Sequence, residues 1–322
     1  MRQNGPCYVR IPSPPQFEPM NGDYILCGWR VRSQIPLPEL SPWPSGETVN
    51  VALPDVTIAI GVVPETLEPP VSTTGYLSVD RLGTVLLALP NIARFLLRNG
   101  DSILVEPDPH GGEVWRLYLL GTVLSLVCLQ RGLFPLHATS VLINDRAVAI
   151  AAISGGGKST LGLALSRRGH RVLTDDLSAL RVEEGNPAVT LLPATPRVKL
   201  WRDALEQFGL NPEPLPRVRS TLEKFIYLPP SEFDPASRHL DAVVVLAEGP
   251  RLSLSRKTPT EAAAAVHQHM QRQWTARHLG RQGAVFAQSA AISHSVPVYR
   301  LERPMSFDAV PATLDLLEEV FA

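Results

Sequence analysis

"AVAIAAISGGGKSTLGLALSRRG", residues 147–169, decides the fold. Its opening AVAIAAI is apolar and rich in β-branched residues, a strand candidate that runs directly into three glycines, Gly155, Gly156 and Gly157. Lys158 and Ser159 follow, and then Leu161, Leu163, Ala164 and Leu165 mark a helix that Gly169 stops. A strand, a glycine run, Gly-Lys-Ser and a helix in that order describe a phosphate-binding loop. Such a loop works because successive backbone N–H groups point inward and the helix offers its positive dipole end to an anion. The pattern assigns Ser154, Gly155, Gly156, Gly157, Lys158, Ser159 and Thr160 to a nucleotide. Lys158 supplies a charge for the β- and γ-phosphates, and Ser159 a hydroxyl for Mg²⁺. One position departs from the pattern, because Ala152 stands where the loop usually opens with glycine. It lies at the strand exit, before the wrap begins, where a methyl group is tolerated if φ stays negative. The bland alternative, a glycine-rich turn with a surface lysine, needs all four features to coincide by chance.

The neighbouring segments add chemistry. SVLIND and AVAIAAI read as two strands of a hairpin joined at Asn144, Asp145 and Arg146. HRVLTDD reads as the next strand, ending in Asp175 and Asp176. Two carboxylates at a strand end beside a phosphate loop allow one to hold Mg²⁺ and the other to take a proton from an incoming hydroxyl. Adjacent residues face opposite sides of a strand, so both reach the site only if the strand is ending there. His137, at the head of HATSVLI, can bond an aspartate or meet a transferring phosphoryl group. Taken singly, an Asp-Asp turn and a lone histidine are more often structural.

Composition sets the outer limits. The chain has 322 residues and a formal charge of -1, which permits two domains and calls for neither nucleic acid nor an anionic membrane as partner. Cys7, Cys27 and Cys128 show no C-x-x-C spacing, which argues against zinc and a disulfide framework and suits a reducing compartment. The opening MRQNGPCYVRIPSPPQ lacks the apolar core of a secretory signal, so the expected location is the cytoplasm. The run Leu117 to Leu129 is apolar all round but shorter than the roughly 20 residues a bilayer takes, so a buried helix is expected.

Proline clusters in IPSPPQFEP, IPLPELSPWP and PETLEPP break the first seventy residues into short strands and stiff turns. Together with an apolar helix over about 113–131, they suggest a small strand-rich α+β domain over 1–132, suited to leader or substrate recognition. Residues 133–322 read as an α/β nucleotide-binding domain with further strands SALRV, AVTLLP, KFIYLPP, DAVVVLAE and RLSLSR. TPTEAAAAVHQHMQRQW and FDAVPATLDLLEEVF supply its later helices. His267 and His269 are two apart on the first of these and so face different ways, which gives no metal site. The chain has no G-x-S-x-G elbow for esterase chemistry.

The order LHATSVLIND…AISGGGKSTLGLALSRRGHRVLTDD resembles the core of HPr kinase/phosphorylase, a serine kinase related to phosphoenolpyruvate carboxykinase. The resemblance implies a phosphate-loop HPr-kinase-like α/β fold, ATP or GTP with Mg²⁺, and a peptide or protein serine as acceptor. Carried over by residue, Asp175 is implied as general base, Asp176 and Ser159 as magnesium ligands, Lys158 as phosphate clamp and His137 as partner of the base. Ala138 replaces the family's glycine after the histidine, and the family's L-E-x-R-G signature gives way to TPRVKLWRDALEQFG, which puts phosphorylase activity in doubt. With its strand-rich N-terminal region and IPLPEL near position 35, nearly the whole chain is more similar to the HPr-kinase-related proteins encoded with lasso peptides, which phosphorylate the C-terminal serine of a precursor. Arg197, Lys199 and Lys224 are candidate contacts to the acceptor, with a solvated basic face as the alternative. A carrier-protein or small-metabolite kinase, a nucleotide-dependent binding module and a homo-oligomer all remain compatible with these residues.

Overall fold

The computed structural model describes residues 22–43, 53–183, 185, 188–195, 197–219, 221–229 and 233–322. Cys7 and the proline cluster at 11–19 lie outside them. The chain is a mixed α/β protein with several sheets.

The central sheet carries the glycine run. Across it the strands are Arg171–Thr174, Ala138–Ile143, Arg146–Ala151, Ala242–Glu248, Val298–Arg303 and Ser253–Arg256. The first three pair antiparallel, Arg146–Ala151 to Ala242–Glu248 to Val298–Arg303 pair parallel, and the edge strand Ser253–Arg256 returns antiparallel. The expected hairpin closes through Asn144 and Asp145, both at positive φ (48° and 65°), the backbone that a two-residue turn needs to match strand twist.

Alternation along Arg146–Ala151 explains why both faces of the sheet are covered. Val148 and Ile150 point to one apolar cluster with Leu161 and Leu165 of the helix Lys158–Arg167. Ala147, Ala149 and Ala151 point to another, where the small methyls admit Val266 of helix Pro259–Gln268 and Ile292 of helix Gln282–Ser295. Gly162 is the close-approach point of the loop helix, because a Cβ there would sit 2.6 Å from the Thr139 methyl.

Nine strands described between Gly22 and Pro107 form a second sheet. YILCGWRVRS, residues 24–33, is a hairpin, because Cys27 and Gly28 both take positive φ and turn the chain. Helix Gly112–Gln130 covers this sheet, with Trp115, Leu119 and Leu126 against Trp29, Val31 and Phe95. At 19 residues it is longer than the apolar run within it, and among the described helices it alone has the length and apolarity to cross a membrane. With 61% of its apolar window buried, it serves as a core helix. The same cluster takes in Leu177, Ala179, Leu192 and Ala194, and Cys27 N–H donates to the Pro193 carbonyl at 3.0 Å, so this layer is joined to the segment that follows the aspartates. Cys27 and Cys128 are both buried free thiols.

TPTEAAAAVHQHMQRQW does not form one helix. Thr258 caps it through a reciprocal capping box with Glu261, but it ends at Gln268 and a new helix starts at Gln273. Strand-like bonds interrupt it: His137 N–H donates to the His269 carbonyl at 2.7 Å, and Gln271 N–H to the Pro135 carbonyl at 2.7 Å. That clasp brings residues 268–272 up to the mouth of the loop.

Candidate active site

The loop bends where its glycines permit. Gly155 and Gly157 have φ of 84° and 85°, and a Cβ on Gly156 would lie 2.8 Å from that of Ala152. Ala152 itself has no positive φ and is buried, so the departure from glycine falls where a methyl group fits. Lys158 opens the helix and is 7% exposed. No described carboxylate comes within ion-pair range of its ammonium; burial lowers its pKa, Asp175 and Asp176 oppose that, and Lys199 and Lys224 reinforce it.

Strand Arg171–Thr174 ends just before the two aspartates, and the Thr174 hydroxyl closes the turn on the Leu177 carbonyl at 2.8 Å. Asp176 takes φ 71°, so the doublet leaves strand geometry and both side chains reach the loop. Their contacts differ. Asp175 accepts from the Ser159 hydroxyl at 2.9 Å and 3.1 Å, from Lys199 N–H at 3.0 Å and from the Thr139 hydroxyl. Asp176 accepts from Lys199 Nζ at 2.7 Å and lies 3.3 Å from His137 Nδ1. The resemblance pairs Ser159 with Asp176, whereas the structure pairs Ser159 with Asp175. The positive φ at Asp176 is the reason, since it swings the second carboxylate toward His137.

Burial alone would raise the Asp176 carboxyl, but Lys199, His137 and Lys158 together hold it well below the usual carboxylate range. Burial, with Lys158 adding, pushes the His137 imidazole below its ordinary pKa of 6.5 against the pull of Asp176. His137 is therefore neutral at pH 7, with Nδ1–H donating to the Asp176 carbonyl at 2.9 Å. An imidazole titration by NMR is expected to give a midpoint below 6.5, falling further in Asp176→Asn; a midpoint at or above 6.5 would contradict the site's electrostatics. The stability tied to neutral His137 is fully present above 6.5 and is lost as pH falls through the lowered folded value.

The candidate acceptor contacts divide. Lys199 joins the site. Lys224 acts electrostatically on Lys158 and lies 5.6 Å from the Trp201 ring centroid. Arg197 is buried and turned toward Glu39 at 4.0 Å, lining a groove with Arg116, Arg217 and Arg219, with Asp176 near enough to favour its charged form. There Arg217 pairs with Glu223 and Arg219 donates to the Tyr118 hydroxyl at 2.6 Å. Trp201 is 41% exposed. Strand sequence could not foretell the directions of Arg197 and Arg219, because Glu39 and Tyr118 lie far along the chain.

Two cavities flank the loop. One of about 420 Å³ is lined by His137, Ser154, Asp176, His269 and Gln271. The other, of about 160 Å³, is lined by Gly155, Gly157, Thr160, Trp201, Arg303 and Phe307. Thr139 and Arg303 escaped the sequence reading. Thr139 was within reach, since it sits two residues after His137 on the same strand side. Arg303 carried no local signal.

Oxygen donors at Ser159 and Asp175 suit a hard cation such as Mg²⁺, which takes one or two protein ligands and completes its shell with phosphate and water. No group of three or more His, Cys, Asp or Glu side chains able to hold a metal occurs among the described residues.

No family model and no curated protein matches the chain. Among solved structures, the HPr(Ser) kinase/phosphatase from Coxiella burnetii is similar at 16% identity. That alignment covers 58% of this chain and 92% of that one, with a TM-score of 0.29. The score is too low for the likeness to bear on fold or activity, which rest on the residues themselves.

Proposed function

We propose that the chain is a Mg²⁺- and nucleoside-triphosphate-dependent phosphotransferase that phosphorylates a hydroxyl, the serine of a peptide or protein. The observation that carries this reading is the division of labour in the doublet: Asp175 is bonded to the loop serine, and Asp176 is set apart between His137 and Lys199. A nucleotide sensor needs the loop and one metal carboxylate; the second carboxylate, aimed into the His137 cavity, has work only if something is transferred.

Lys158, Lys199 and Lys224 outnumber Asp175 and Asp176 around the loop while His137 is neutral, so the site favours a polyanion. Ser159 and Asp175 would hold Mg²⁺, whose charge offsets that building up on the phosphates. The acceptor enters the His137 cavity, and Asp176 orients its hydroxyl. As the acceptor oxygen bonds to the γ-phosphorus, the bond to the β,γ-bridging oxygen breaks and the nucleoside diphosphate leaves. A carboxylate held so far below its usual range is a weak base, so Asp176 takes the hydroxyl proton late, which a loose transition state tolerates. His137, whose Nδ1–H is given to the Asp176 carbonyl, holds that residue in place.

Labelled ATP or GTP with Mg²⁺ tests the reading against three acceptors: a peptide ending in serine of the lasso-precursor type, a carrier protein, and small hydroxylated metabolites. Label on the peptide serine is the expected result. Label on a small metabolite alone would keep the phosphotransferase and replace its acceptor. Tight nucleotide binding without transfer to any hydroxyl would overturn catalysis in favour of a binding module.

A further inference from the structure

Strand Val298–Arg303 lies inside the central sheet and ends beside the glycine run with Arg303, which is 3% exposed. Its guanidinium has no described carboxylate in ion-pair range, its Nε has no hydrogen-bond partner, and Nη1 makes only a long 3.4 Å contact to the Pro304 carbonyl. Burial lowers the Arg303 pKa and nothing nearby opposes it. An arginine withdrawn from water without a counter-charge is costly to the fold, and such a cost is retained where an anion arrives to meet it. The direction of the side chain agrees. A Cβ on Gly157 would collide with Arg303 Nη2, so the glycine is needed there for space as well as for its φ of 85°.

Resting on the phosphate-loop reading above, we propose that Arg303 is a second phosphate-binding cation. It meets the non-transferred α- or β-phosphate of a nucleotide whose nucleoside occupies the cavity of Trp201 and Phe307. That cavity does not include His137 or Asp176, so donor and acceptor enter from different sides of the loop. Lys158 then serves the transferred end of the chain of phosphates and Arg303 the retained end.

Calorimetric titration of the full chain with ADP and with ATP, each with Mg²⁺, tests this. Arg303→Met is expected to bind both about 10- to 100-fold more weakly, and by similar factors, because ADP keeps the phosphates that Arg303 meets. The thermal midpoint of the nucleotide-free variant should equal or exceed that of the parent, since an uncompensated buried charge is gone. Should Arg303→Met fail to accumulate folded, Arg303→Gln carries the same comparison. ADP affinity within threefold of the parent in a folded variant overturns the assignment while leaving the loop reading intact. A lowered midpoint with unchanged affinity also overturns it, and marks Arg303 as a structural cation. If the parent chain itself binds neither nucleotide, the loop reading fails and this assignment with it.

Discussion

Lys158→Met is expected to cut phosphoryl transfer by roughly a thousandfold or more while leaving the protein folded and at least as heat-stable as the parent. The two halves of that expectation share one cause. Lys158 is buried at the first turn of a helix, where the dipole disfavours a cation, with two further lysines acting on it and no ion pair among the described residues. The fold is held under strain by this ammonium, and methionine fills much the same space without the charge. What disappears is the cation that would meet developing negative charge on the transferred group. Transfer rates and thermal unfolding check the pair of outcomes together. Activity within tenfold of the parent would remove Lys158 from the chemistry, and a large drop in the midpoint would make it structural.

Asp175→Asn and Asp176→Asn are expected to fail in different ways, and the difference separates metal ligand from base. Asp175→Asn should raise the Mg²⁺ concentration needed for activity and lower kcat/KM by about a hundredfold or more, because the amide is a poor ligand beside Ser159. Asp176→Asn should lower kcat by about 10²- to 10⁴-fold while nucleotide binding holds or tightens, since removing this carboxylate frees Lys199 for phosphate. Titrating Mg²⁺ and nucleotide against each variant distinguishes them. If Asp176→Asn shifts the Mg²⁺ requirement and Asp175→Asn does not, the roles return to those implied by the resemblance.

The difference between the two aspartates' contacts illustrates how far the sequence reaches. The strand, the glycine run, the helix and the Asn144-Asp145 turn are local, and each follows from residues within a few positions of one another. The arrival of both aspartates at the loop was likewise legible from their place at a strand end; Arg171–Thr174 and the loop strand Arg146–Ala151 flank Ala138–Ile143, and two antiparallel pairings leave both ending on the same side of the sheet. Which carboxylate faces which partner depends on one dihedral angle, φ 71° at Asp176, and a strand's two-residue alternation does not encode it. Arg197 faces Glu39, and Arg303 reaches Gly157; both depend on packing between distant segments, to which no spacing rule applies. The broken helix near Met270 has the same origin, since its turns are given up to bonds with Pro135 and His137.

The place of Val298–Arg303 in the sheet bears on how the protein comes into being. This strand follows both of its sheet partners, Ala242–Glu248 and Ser253–Arg256, in the order of synthesis. Until it inserts, a growing chain on the ribosome exposes two unpaired edges and a half-built cradle. A helper that shields open sheet edges would matter most in that interval.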